Sequence, residues 1–237
     1  MLNRKTLLPF LLLSGTWLLS CNGNGQQPPL TPDQQAAKDR YDSLQKLVAR
    51  TTETYKAMDI PSLLQKLAEQ SKKQMEYFNS PAYRELQSRK EVDPKAIQAQ
   101  ISDLKNGDAL LPLLLLRKLY RQNYLALPMN ERVGILTDAL SRAQTFNSWG
   151  LPHAYLQDAS RALLECDSSA IAPLRRMLDN TRPAPVYGSK EHMEYMRYKY
   201  RLCDYALFFI ESLRGNKGFV MPAQPEGRDS LIKGLGK

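Results

Sequence analysis

Ala109-Leu110-Leu111-Pro112-Leu113-Leu114-Leu115-Leu116 is apolar without interruption. No polar residue marks a solvent side, so a helix built from this stretch is buried on all faces. Pro112 falls near its start, where a missing N–H costs least. A buried central helix needs other helices around it, and the flanking sequence supplies them. Ile97, Ile101 and Leu104 form an apolar stripe that ends at Asn106-Gly107. Val133, Leu136 and Leu140 form another, widened by Ile135 and Ala139. Leu63, Leu64 and Leu67, continued by Met75 and Phe78, predict a third. Start signals recur: Thr31-Pro32-Asp33-Gln34, Ser80-Pro81 and Asp93-Pro94, with Asp59, Asp108 and Asn130 as further capping residues. Beyond residue 20 the chain has 30 Leu against 5 Val and 7 Ile. That balance favours helix over strand, and no alternating strand pattern stands out. The expected fold is all-α.

The N-terminus has a different character. Arg4 and Lys5 precede an apolar run from Leu7 to Leu19, which is short for a membrane span. Leu18-Leu19-Ser20-Cys21 closes it. These residues resemble the lipobox of a bacterial lipoprotein signal peptide. The resemblance implies removal of residues 1–20 and lipidation of Cys21. It also implies an envelope location, with Asn22 compatible with the outer membrane. Asn22 to Pro32 is polar and rich in Gly and Pro, and reads as a tether. Loss of Arg4 and Lys5 takes the formal charge from +9 to +7. Charges of both signs are interspersed along the body. Nucleic acid is not an expected partner, because no recognition motif is present and an envelope protein rarely meets it.

The second half carries another resemblance. Ala159-x-x-Ala162-Leu163 leads to Cys166-Asp167, then to Ala170-x-x-Pro173-Leu174-x-x-x-Leu178-Asp179. Arg201-x-x-Asp204-Tyr205-Ala206-Leu207-x-x-Ile210 comes next. This resembles the helix-turn-helix units of HEAT-type α-repeats, with Asp167 where the turn usually has Gly. Small residues let neighbouring helices approach, and Leu and Ile fill the seam. The resemblance spans about residues 155–214 and implies a short solenoid, preceded by irregular helices. It brings no catalytic residues. The domain expected from these signals runs over 33–215, and 216–237 reads as a mobile basic tail.

Chemistry is sparse. His153 and His192 are the only histidines and are not spaced as a ligand pair. No metal site or cofactor is expected. Ser43–Lys46 and Ser102–Lys105 match Ser-x-x-Lys without the companion motifs of penicillin-binding families. Glu165, Asp167 and Asp204 could serve glycan hydrolysis, but in a helical repeat such residues more often cap helices or pair with Arg. Cys166 and Cys203 could bridge in an oxidising compartment, or serve as small buried apolar residues. Two segments stand out. Phe146 to His153 and Arg182 to Ser189 are rich in aromatic, Gly and Pro residues, and five of the twelve Tyr fall between Tyr187 and Tyr205. Trp149, His153, Tyr187, Arg197 and Tyr198 are the candidate binding residues, since Trp, Tyr and Arg dominate binding hot spots. The competing reading makes Trp149 and Tyr187 plugs that close helix ends. The sequence therefore points to a lipid-anchored, non-catalytic module that binds a protein or envelope component. An envelope enzyme built on the Trp149–His153 loop and a purely structural lipoprotein are the alternatives.

Overall fold

The structure is a computed structural model that describes residues 31–235. The stretch read as a signal peptide, Cys21 and most of the stretch read as a tether lie outside the described residues. The chain divides into two compact units, Met1–Thr54 and Tyr55–Lys237. This boundary falls inside the segment 33–215 read above as one domain. Helix α1 (Pro32–Ala57) is the described part of the first unit and supplies the first residues of the second. It opens on a reciprocal cap: Gln34 N–H donates to Thr31 Oγ1 at 3.3 Å, and Thr31 N–H donates to Gln34 Oε1 at 3.0 Å.

The second unit contains α2 (Ile60–Lys72), α3 (Pro81–Ser88), α4 (Pro94–Leu104), α5 (Leu110–Leu119), α6 (Arg121–Ala126) and α7 (Met129–Arg142). A two-stranded hairpin comes next, β1 (Gly150–Leu151) with β2 (Tyr155–Leu156). Then come α8 (Asp158–Leu164), α9 (Ile171–Arg175), α10 (Ser189–Tyr198), α11 (Leu202–Leu213) and α12 (Pro225–Leu235). The all-α expectation stands, with the hairpin as the one sheet among the described residues. No helix among them is long and apolar enough to cross a membrane.

The apolar stretch at 109–116 is the hub. In α5, Leu111 and Leu113 to Leu116 are all buried, and the helix packs against α2, α3, α4, α6, α7 and α8. Its start has no cap of its own. The Leu111 N–H donates instead to the Ser71 hydroxyl of α2 at 3.1 Å. Besides Thr31, three of the read caps act as caps: Asp59 accepts from Ser62 N–H, Ser80 from Tyr83 N–H and Asp93 from Lys95 N–H. Two do not. Asp108 sits inside a 3-10 turn (Asn106–Ala109) and pairs with Arg142 at 2.9 Å. Asn130 is already inside α7. The 3-10 turn lies hard against α7 because residue 107 is Gly. A Cβ there would fall 2.6 Å from the Ala139 nitrogen.

Three readings are corrected or, where two alternatives stood open for the cysteines, decided. The stripe from Leu63 does not extend to Met75 and Phe78, because α2 ends at Lys72 and Gln74 takes a left-handed conformation (φ 54°). Cys166 and Cys203 form no disulfide: both are buried free thiols. Burial pushes the Cys166 thiol up to about 11 and the Cys203 thiol up to about 12, so thiolate is disfavoured at both.

The third correction is the tail. Residues 225–235 form helix α12, anchored by Arg228. The Arg228 guanidinium is fully buried and its Nε lies 3.1 Å from Asp204 Oδ1, itself fully buried. Arg228 also donates to the carbonyls of Pro222, Ala223 and Tyr198, and covers the Tyr200 ring at 5.0 Å from its centroid. A buried guanidinium is tolerated only when paired and hydrogen-bonded, and here the Asp204 charge and three carbonyl bonds serve, while Nε makes no hydrogen bond. Asp204 in turn holds Arg201, which reaches Asp229 of α12 at 2.7 Å. The net positive charge of this segment therefore works inward as well as outward.

Candidate functional site

The two aromatic-rich loops meet. Phe146 N–H donates to the Pro185 carbonyl at 2.8 Å. Asn147 clasps Tyr187 on both sides, donating from Nδ2 to its carbonyl and accepting from its N–H at 2.9 Å. The segment before α10 is also bound to the segment after it. Ala184 N–H donates to the Tyr200 carbonyl at 2.8 Å, and Leu202 N–H to the Arg182 carbonyl at 2.9 Å. The hairpin sets the position of His153. Gly150 has φ +80°, and a Cβ there would lie 2.5 Å from the Tyr155 carbonyl oxygen, so the turn requires glycine. The Gly150 carbonyl accepts from the buried Tyr205 hydroxyl of α11 at 2.6 Å.

His153, between the two strands, ties the hairpin to the C-terminal half of α10 and to Tyr200 just beyond it. Its ring stacks on Tyr198, with centroids 3.8 Å apart and planes 20° apart. Its Nε2 lies 3.0 Å from Glu194 Oε2, and its Nδ1 lies 3.0 Å from the Tyr200 hydroxyl. A carboxylate can only accept, so Nε2 carries the proton toward Glu194. In the neutral ring Nδ1 then accepts, and the Tyr200 hydroxyl donates. Glu194, His153 and Tyr200 thus form a carboxylate–imidazole–phenol relay with the grammar of a catalytic triad. Its terminal group decides against that use. Tyr200 is 0% exposed, and burial raises its phenol well above the ordinary value, so it stays protonated and out of a substrate's reach. The relay is a clasp that fixes the hairpin to α10.

The five candidate binding residues separate into two groups. Trp149 is 1% exposed and meets Phe209 edge-on, with centroids 6.1 Å apart, so it is a plug. Tyr187 is 58% exposed and plugs nothing. His153 and Tyr198 stack directly, and the Arg197 guanidinium lies over Tyr198 at 5.5 Å from its centroid. The outer side of α10 carries two residues that spacing alone did not single out: Met193 is 68% exposed and Met196 is 54% exposed. Their i, i+3 spacing in a helix that buries none of its described side chains was the available signal. The exposed candidates are therefore Met193, Met196 and Arg197 on α10 and Tyr187 in the segment before it.

The remaining candidates are structural. Glu165 accepts from Arg117 at 2.7 Å and pairs with Arg121. These partners hold its carboxyl below the usual range, although burial opposes them. Asp167 caps the turn at Ser168–Ala170. Glu76 went unnoticed in the sequence. Burial raises its carboxyl, against hydrogen bonds from Thr145 Oγ1, from Ser148 Oγ and from Ser148 N–H at 2.7 Å. It lines a small cleft of about 30 Å³ with Met75, Leu111, Ser148 and Trp149. Both carboxylate oxygens are occupied, so Glu76 anchors the 145–148 loop and leaves little to offer a ligand. Among the described residues no group of three or more His, Cys, Asp or Glu gathers to hold a metal ion. No family model matches the chain, and comparison with curated proteins and with solved structures also finds no match.

Proposed function

We propose that this is an envelope lipoprotein, anchored through lipid on Cys21, whose helical body binds a protein or envelope component without catalysis. One observation carries the binding reading. Met193, Met196 and Arg197 are exposed on α10, beside the His153–Tyr198 stack, and Tyr187 is exposed in the segment that leads into that helix. Flexible, polarisable Met beside Tyr and Arg is the composition of adaptable contact surfaces. The relay beneath them favours binding over an enzyme on the Trp149–His153 loop, since its phenol is buried.

The kinship of residues 155–214 with helical repeats belongs to the same proposal. Helices α8 and α9 both pack on α11, as neighbouring helices of a repeat do. The Arg182–Ser189 loop and α10 then form an insertion between two units, which is where a repeat scaffold presents binding residues.

The anchor and the surface are tested separately. Cys21→Ser should move the folded body from the membrane fraction to the soluble fraction. Retention of that variant in the membrane, unprocessed, would replace the lipid anchor by an uncleaved signal. Met193→Glu with Met196→Glu should leave thermal unfolding unchanged and abolish partner capture from solubilised envelopes. Capture at the wild-type level would move the binding surface elsewhere.

A further inference from the structure

Helix α1 carries a stripe whose members alternate three and four residues apart, Tyr41, Leu44, Val48, Thr51 and Tyr55, continued by Met58 just past the helix end. This alternation averages the 3.5-residue repeat of a two-stranded coiled coil. The end of the stripe is spent inside the second unit. Tyr55 and Met58 pack against its core, and the Tyr55 hydroxyl accepts from Gln70 Nε2 at 2.8 Å. Before Thr51 the stripe is uncovered. Tyr41, Leu44, Val48 and the adjacent Leu47 are between 46% and 60% exposed, and no residue of α1 is buried. Thr51 spends its hydroxyl on the Leu47 carbonyl at 2.9 Å, which leaves its methyl group for the stripe.

We propose that a second copy of α1 covers this stripe, in a parallel two-stranded coiled coil. The heptad places Tyr41 and Val48 at a and Leu44 at d, and the β-branched Val48 beside Leu44 favours two strands. The flanking positions hold one opposite-charge pair and no like-charge pair. Asp33 faces Lys38 of the second copy, and Arg40 faces Gln45, so like charges do not meet. A membrane surface fits less well. The polar side mixes Asp39, Asp42, Lys46 and Arg50, whereas helices that lie in a membrane interface are rich in cations there. The parallel sense rests on the lipid anchor proposed above, because both copies then leave one membrane from the same end. The anchor also supplies strength. About two heptads bury less than the ~1,200 Å² of a stable interface. Pairing is therefore weak in dilute solution and enhanced among chains that share a surface.

The test uses the full chain in membranes, with single cysteines at Tyr41, Leu44 or Val48 on the stripe, or at Lys46 on the outer side. Cys166 and Cys203 stay in place because both are buried. Mild oxidation should yield at least about tenfold more covalent dimer at each stripe position than at Lys46→Cys, since only stripe positions bring two Cα atoms within the ~7 Å that a disulfide spans. Equal yields at Leu44→Cys and Lys46→Cys, or none on the stripe, would overturn the coiled coil. Dimer at only one of the three stripe positions would overturn the parallel sense. Failure of the anchor reads out differently, as unsubstituted chain in the soluble fraction. The same cysteine comparison on that chain at high concentration, with Cys21→Ser added to remove the unmodified thiol, still decides the pairing.

Discussion

Replacing Asp204 by Asn keeps the shape of the side chain and removes its charge. In the folded chain that charge faces the guanidinium of Arg228, which is fully buried, and that of Arg201, which retains Asp229. Arg228 is left with three carbonyls and the Tyr200 ring, and no anion. Breaking one side of a buried pair typically costs 3–5 kcal/mol, and the surviving carbonyl bonds place this site near the lower end, at about 3 kcal/mol. For a chain of this size, each kcal/mol is worth about 2–4 °C, so thermal unfolding should begin about 6–12 °C lower. Urea unfolding measures the free energy, and amide exchange in Pro225–Leu235 reports α12 directly. Arg228→Met removes the cation and leaves Asp204 with Arg201, so it should cost less. The double variant should fall short of the sum by about 1–3 kcal/mol, because the two groups act as one unit. An Asp204→Asn protein within ~0.5 kcal/mol of wild type, with α12 exchange unchanged, would refute the claim that this pair docks the C-terminal helix.

Trp149→Ala should cost about 3–5 kcal/mol by opening a cavity beside Phe209, whereas Tyr187→Ala should stay within ~0.5 kcal/mol. Equal losses in chemical denaturation would return Tyr187 to the role of plug. Glu76 gives a pH dependence of definite sign. Its pKa is raised on folding, so the folded state binds the proton more tightly. Its contribution is fully present below the ordinary Glu value of ~4.3 and is lost as pH rises through the raised value. Stability measured from acid to neutral pH should decline across that window in wild type relative to Glu76→Gln; parallel curves would contradict the assignment. Thiol titration of native protein should find Cys166 and Cys203 unreactive, and unfolding without reductant should expose both. Failure to recover two thiols would reinstate the disulfide.

The helical body was legible where local rules and burial agree. The unbroken apolar run at 109–116 marked the hub, and Asp59, Ser80 and Asp93 marked helix starts, because a cap acts within three residues of itself. What escaped depends on partners distant in sequence. Glu76 meets Thr145 and Ser148, and Arg228 meets Asp204, and no spacing announces either pair. Helix α12 did carry a start signal in Pro225-Glu226, but Gly227 and Gly234 lower its propensity and masked it. The candidate surface was half legible. Composition located His153, Tyr187, Arg197 and Tyr198, while the split between exposed Tyr187 and buried Trp149 is set by tertiary packing.

A photo-reactive amino acid at position 196 of the full-length chain, activated in living cells, tests the binding surface most directly. The account predicts one discrete adduct from position 196 and none from the same probe at the exposed Lys72 of α2. Identical products from both positions, or no adduct at 196 in cells where the body is folded and anchored, would contradict it.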